Sequence, residues 1–175
     1  TQGTWTYFTI EKFKWSSAEV GYSLGFVGVT IALVQGGLTR IVIPKLGQVK
    51  SVFIGLIFNA AGLLAFSLAN QGWMMYAIMI PFALGGLAGP ALQGIISNQV
   101  GPNEQGTLQG SLTSLISLTS IIGPLLMTNL FSFFTSDNAP FYFPGAPFLA
   151  GAFLALAGLL LSLKPLLRMD KIPRH

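Results

Sequence analysis

The residues in this chain that could do chemistry are polar side chains set inside long apolar stretches. Residues 73–100 form one of these apolar stretches. If it is a helix, with about 100° between successive residues, one of its faces carries methionine, phenylalanine, glycine and an amide. Its members are Met75, Met79, Phe82, Gly86, Gly89 and Gln93. Methionine and phenylalanine give adaptable apolar contact, and an amide both donates and accepts hydrogen bonds. This face is predicted to form the wall of a site for a broad amphipathic ligand.

Further polar groups lie in the other apolar stretches. Gln35 needs a partner or a wet cavity, so we expect it to face inward, with a role at the cytoplasmic interface as the alternative. Asn59 is predicted to make interhelical hydrogen bonds. A hydroxyl stripe recurs at i, i+4 and i+7 with proline at i+11, in Thr113, Ser117, Ser120 and Pro124. Bonding to their own i−4 carbonyls is the alternative to a role of these hydroxyls in the cavity.

Glycine and proline in these stretches are predicted to control helix packing and bending. Gly85 and Gly89 form a small-xxx-small pair, for which close helix packing alone is the alternative to a ligand site. Gly123 before Pro124 loosens a helix and permits bending. The candidate packing and gating residues are Gly85, Pro90, Gly123 and Pro124.

Several function classes are excluded by what the apolar stretches lack. They contain no Asp, Glu, Lys or Arg, the usual markers of an intramembrane proton relay. The carboxylates are scattered between the stretches without a base, nucleophile or metal partner, and the single histidine, His175, is the last residue. We therefore predict no catalytic residue, no metal, no cofactor and no enzyme. The net charge of +4 forms no basic stripe, so nucleic acid is not a predicted partner.

The composition indicates which elements position these residues. The chain is 52% hydrophobic and 8% charged, which indicates that lipid is the solvent for most of its surface. A helix needs about 20 apolar residues to cross a core of about 30 Å. The charges and turn residues then divide residues 1–175 into five spans, at about 20–39, 52–68, 73–100, 107–131 and 147–163. Residues 1–10 are too few to cross and are predicted to be the end of a truncated span.

Basic residues predict the orientation of these spans. Seven of them gather on one side, namely Arg40, Lys45, Lys50, Lys164, Arg168, Lys171 and Arg174, whereas Lys12 and Lys14 lie on the other. Positive residues favour the cytoplasmic side, so the C-terminus is predicted to be cytoplasmic. The chain begins at Thr1 without an initiator methionine, and we expect it to be part of something longer.

An ordered set of motifs carries a family resemblance. Residues 88–94 (AGPALQG), 98–100 (NQV), 105–112 (QGTLQGSL) and 117–126 (SLTSIIGPLL) closely resemble the tetracycline-resistance branch of the major facilitator superfamily. The loop 44–50 (PKLGQVK) is similar to a cytoplasmic loop motif of that superfamily, with Arg40, Pro44 and Val49 as departures.

The resemblance implies an all-α membrane protein of the cytoplasmic (inner) membrane. It implies a twelve-helix fold in two six-helix halves, of which this chain is the C-terminal half, and drug:proton antiport by alternating access. The implied partners are the bilayer, a missing N-terminal half that carries the coupling acids, a drug such as tetracycline, and protons. Gln35 and Gln93 are implied cavity residues by motif position. The alternatives are a metabolite or sugar permease of the same superfamily, or a non-transporting membrane interaction protein.

Overall fold

The computed structural model describes residues 2–136 and 139–170, and the side chains of residues 4–136 and 139–168. Every regular element in this part of the chain is a helix, so the predicted all-α class is confirmed. Six helices follow one another: α1 (Gln2–Phe13), α2 (Ser17–Leu46), α3 (Gln48–Leu68), α4 (Gly72–Ser97), α5 (Pro102–Thr135) and α6 (Ala146–Asp170). Lys171 and Arg174, which contribute to the predicted orientation, and His175 lie outside the described residues.

Helices α2 to α6 are each long and apolar enough to cross a membrane. The shortest of them, α3, has 21 residues and is about 31 Å long, close to the thickness of a hydrocarbon core. Helix α4 ends at Ser97, three residues before the predicted end, whereas α2 extends beyond its predicted span at both ends, so that Glu19, Arg40 and Lys45 lie at the ends of α2 rather than between helices. Helix α1 has 12 residues, about 18 Å, and is too short to cross.

Helix α3 lies at the centre of the bundle and packs against α4 and α6. In its most apolar segment 44% of the residues are buried, against 6% in α2 and 6% in α5. These two helices therefore leave apolar faces open. An aromatic core closes one end of the bundle, where the Trp5 and Phe66 rings meet edge to face at 5.2 Å and the Phe8 and Phe148 rings lie 4.8 Å apart.

Glycines let α3 and α4 approach closely. A Cβ at Gly55 would lie 2.5 Å from the backbone nitrogen of Ala88, and one at Gly62 would lie 2.7 Å from the Phe82 ring. Larger residues at these positions would push the two helices apart. At the end of α2, Gly47 adopts a φ of 84°, which glycine tolerates without steric cost, and this single residue reverses the chain into α3.

Two helices depart from α-helical geometry where they face each other. Residues Val34–Leu38 of α2 form a π-helical turn, in which the Thr39 hydroxyl donates to the Val34 carbonyl at 2.9 Å. Residues Gly85–Leu87 of α4 form a 3₁₀ turn. The two turns are in contact. Irregular turns of this kind occur at functional sites more often than elsewhere in helices, and they locate the site described next.

Candidate functional site

A cavity of about 290 Å³ lies beside the two irregular turns, between α1, α2, α3, α4 and α6. The α1 end supplies Trp5, α3 supplies Asn59, Leu63 and Phe66, and α6 supplies Phe148, with the remaining lining from α2 and α4. Carbon atoms make most of this surface. None of the lining residues is charged. The cavity therefore suits an uncharged, largely apolar molecule or part of one.

Aromatic rings form one side of the cavity and are held by mutual contacts. The Phe66 ring meets the Phe82 ring edge to face, with 5.3 Å between the ring centroids. The centroid of the Phe148 ring lies 5.9 Å from that of Phe66. The indole Nε1 of Trp5 donates to the Ser23 hydroxyl at 3.0 Å, which satisfies its polar group and fixes the ring against α2. This side is therefore preorganised for contact with a ring-containing ligand.

Two amides supply the polar groups of the cavity. Gln35 is presented by the π-helical turn of α2, and Asn59 by α3. Glycines face both of them: a Cβ at Gly85 would lie 2.9 Å from the Asn59 Cβ, and one at Gly86 would lie 3.4 Å from the Gln35 Nε2. Within the described residues neither amide makes a hydrogen bond. An amide left unpaired away from water costs about 1–3 kcal/mol, so both are suited to meet a ligand or water.

The structure brings some of the predicted wall together at this cavity. Gln35, Phe82 and Gly86 line it, and Gly85, predicted as a packing residue, is buried against Asn59 at its edge. Met79 does not line it, because its side chain is 1% exposed and lies in the aromatic core. Of the predicted face of α4, Phe82 and Gly86 therefore line the cavity, and Met79 belongs to the aromatic core.

The remaining predicted residues lie on the open faces of α4 and α5. Gly89, Pro90 and Gln93 are exposed on the second half of α4, and no atom approaches a Cβ at Gly89 within 4 Å. The Gln93 Nε2 donates to the Gln109 Oε1 of α5 at 3.2 Å. The structure therefore places Gln93 in a bridge between two helix ends rather than in the cavity of about 290 Å³.

Helix α5 carries the predicted hydroxyl stripe on an exposed face. Thr113, Ser117 and Ser120 are exposed, and within the described residues their hydroxyls make no hydrogen bond. Bonding to the i−4 carbonyl occurs instead at other positions of α5, including Thr119 to Leu115 at 3.1 Å. The helix continues through Gly123 and Pro124, and the Pro124 carbonyl accepts a bond from the Thr128 hydroxyl. The stripe thus lies free on the face that α5 leaves open.

A polar contact ties the loop before α6 to α1. The Tyr142 hydroxyl donates to the Glu11 carboxylate, with 2.7 Å between the oxygens. Desolvation and this hydrogen bond to a negative group raise the pKa of Tyr142 to about 12. The contact is exposed and joins the two segments outside the predicted membrane spans.

Sequence reasoning missed several lining residues. Asn59 was expected to pair with another helix, yet it has no hydrogen-bond partner in the described part of the chain and borders the cavity. Trp5 and Phe148 line the cavity and are not among the predicted site residues. A usable signal existed for Asn59: Gln35 precedes Gly47 by twelve residues and Asn59 follows it by twelve, so a hairpin at Gly47 places both amides at one depth.

Comparison with known proteins gives one family and several relatives. The Major Facilitator Superfamily model matches residues 2–174. The class D tetracycline resistance protein of Salmonella ordonez is 42% identical over 94% of this chain and 40% of its own length. The class G tetracycline resistance protein of Vibrio anguillarum is 41% identical over 73% of this chain and 33% of its own. Human hippocampus abundant transcript-like protein 1 is 28% identical over 84% of this chain and 32% of its own.

The chain spans between 32% and 40% of the length of these relatives. No solved structure matches it significantly. Five helices that can cross a membrane, in an all-helical arrangement, fit a fragment of the fold that the family model describes. The resemblance predicted from residues 88–126 is confirmed, and the chain is a multi-pass membrane protein that belongs to the major facilitator superfamily.

Proposed function

We propose that this chain is the C-terminal half of a secondary transporter of the cytoplasmic membrane. In this proposal the complete protein exports tetracycline or a similar amphipathic drug in exchange for protons, and the C-terminus of this chain is cytoplasmic. It performs transport rather than catalysis. The open apolar faces of α2 and α5 support a second half, because two helices that bury 6% of their apolar segments need a further partner or lipid.

The observation that carries the proposal is the uncharged cavity between the irregular turns. Its aromatic side and two unpaired amides suit a ring system with a polar edge. A sugar permease would need several more hydrogen-bonding groups than Gln35 and Asn59 to replace the water on a sugar's hydroxyls. A drug therefore fits this lining better than a sugar does.

The two irregular turns support the proposal of alternating access. A π-helical turn and a 3₁₀ turn carry backbone bonds that differ from the regular ladder, and such turns accompany bending in membrane helices. The turns of α2 and α4 contact each other at the cavity, so bending at either one changes its shape. Because the lining holds no acid, the proton is carried by groups elsewhere in the complete protein.

Gln93, Gly89 and Ser117 have a different place in this proposal. They lie on the faces of α4 and α5 that remain open in this chain. In a transporter with two halves those faces border the passage between the halves. We place these three residues there, as contacts for drug after it leaves the cavity beside Asn59.

The experiment is uptake of labelled tetracycline into energised everted vesicles that contain the full-length protein. Uptake above that of empty vesicles, abolished by a protonophore, supports proton-driven export. Confirmed membrane insertion without uptake contradicts tetracycline export and leaves the family assignment in place. A matched set of labelled sugars tests the permease alternative in the same vesicles.

A further inference from the structure

Gln35 and Asn59 lie at the same depth on neighbouring helices. Each is twelve residues from the Gly47 turn, which corresponds to about 18 Å along α2 and α3. Because α3 is about 31 Å long, this depth is near the middle of the bundle. Amides are rare and costly at such depth, where a bilayer offers no water. Helix packing alone does not explain two amides that lie at one depth and line one cavity.

Consecutive glycines bring both amides to one place. Gly85 faces Asn59 and Gly86 faces Gln35, and the 3₁₀ turn sets these two glycines on adjacent sides of α4. Neither amide has a hydrogen-bond partner in the described residues. The amide donors and acceptors of both side chains are therefore available to a molecule that occupies the cavity.

We infer that Asn59 and Gln35 act as a pair that binds one uncharged hydrogen-bonding group of the ligand. A carbonyl, hydroxyl or carboxamide on a ring system has this chemistry, because amides both donate and accept. A charged group would find no counter-ion in the lining. The inference rests on the proposed function and names the polar contact within it.

The size of the cavity indicates how much of the ligand it holds. Sites for drug-sized molecules measure about 300–1,000 Å³, and this one, at about 290 Å³, lies at the lower limit. The amide pair would therefore hold the polar edge of one or two rings, and the rest of the molecule would extend from the open side. In this geometry the pair contributes to the affinity for ligands that carry such a hydrogen-bonding group.

The first test is tetracycline transport by the full-length protein in everted vesicles. Asn59→Leu and Gln35→Leu are each expected to raise the half-saturating tetracycline concentration about 3- to 10-fold with the maximal rate unchanged. In the double variant, the half-saturating concentration is expected to rise by less than the product of the two single-variant fold-changes. The matched control is Asn129→Leu, an amide on α5 whose Nδ2 bonds the Leu125 carbonyl at 2.8 Å, and it should transport normally.

Unchanged half-saturation in Asn59→Leu would overturn the inference, and so would a fall in maximal rate alone, which indicates a structural role. Absence of transport by the wild-type protein would contradict the proposed function instead. A second test then decides the inference without transport. This chain contains no cysteine, and the reaction of Asn59→Cys and of Ile57→Cys with a hydrophilic methanethiosulfonate is compared with that of the full-length wild-type protein.

Asn59→Cys is expected to react through the cavity. Ile57 lies two residues earlier on α3 and is 52% exposed on the outer face, so Ile57→Cys should meet lipid and stay unmodified. A thiol in lipid remains protonated and unreactive. An unreactive Asn59→Cys, or equal reaction of both variants, would overturn the assignment of Asn59 to a polar site.

Discussion

Replacement of Gly85 by alanine tests the close approach that shapes the cavity. The added Cβ would lie 2.9 Å from the Asn59 Cβ and 3.1 Å from its Cα. Carbon atoms pack favourably at about 3.5–4.0 Å, so α3 and α4 would have to separate by roughly 0.5–1 Å. Rotation of the Asn59 side chain cannot relieve the contact, because its Cα is part of the backbone. Overpacking of this kind costs about 1–3 kcal/mol.

Conformation adds nothing to this cost. Gly85 has φ −56° and ψ −27°, which any residue adopts. Alanine instead gains up to about 1 kcal/mol over glycine in a helix, which offsets part of the clash. With the full offset the net loss is up to about 2 kcal/mol, a factor of up to roughly 30 in the folded-to-unfolded ratio. Gly89→Ala receives the same gain without the clash, since no atom lies within 4 Å of its added Cβ.

The assay is thermal unfolding of the purified full-length protein, with tetracycline uptake measured on the same preparations. Gly85→Ala is expected to melt below wild type and to transport less, because Asn59 moves away from the cavity. Gly89→Ala is expected to melt at or above wild type. Equal melting temperatures of the two variants would refute the packing geometry of α3 and α4.

Further variants test other contacts. Gly55→Ala places its Cβ 2.5 Å from a backbone nitrogen of α4, and we expect lower expression and a lower melting temperature than for wild type. We expect tetracycline uptake to fall in Gln93→Ala and in Gln109→Ala. Because the two side chains bond to each other, the double variant is expected to reduce uptake by less than the product of the two single-variant fold-reductions. Partial desolvation of the hydroxyl and the neighbouring Glu11 carboxylate raise the pKa of Tyr142 from about 10 to about 12, so the contact stabilises the fold below pH 10 and is lost as pH rises through about 12. The effect should stay below about 1 kcal/mol because the side chain is largely exposed, and melting between pH 9 and 12 should lose this dependence in Tyr142→Phe.

The sequence was sufficient to predict helices and the cost of intramembrane amides. Lipid offers no hydrogen bonds to the backbone, so long uncharged stretches of the lengths found in α2 to α6 form helices. The same physics assigned Gln35 to a cavity, because its amide needs a polar surrounding. Phe82 and Gly86 follow from their position on the helical face beside it.

The face of α4 could not be extended correctly from sequence. A 3₁₀ turn advances about 120° per residue instead of about 100°, so Gly85–Leu87 rotates the following residues by about 60°. Gly89 and Gln93 also lie about 10 Å and about 16 Å beyond Phe82 along the axis of α4, past the residues that line the cavity. Met79 was assigned to the cavity from periodicity, yet it is buried in the aromatic core, in the part of α4 that packs against α2 and α3.

The most direct test of the proposed drug site is photocrosslinking of labelled tetracycline to the full-length protein. A benzophenone-bearing phenylalanine is placed at Phe82, which lines the cavity, or at Phe153, which is 64% exposed on α6. We expect crosslinking at Phe82 that excess unlabelled tetracycline abolishes, and none at Phe153. Equal labelling at both positions, or labelling at Phe153 alone, would contradict a drug site between α2, α3 and α4.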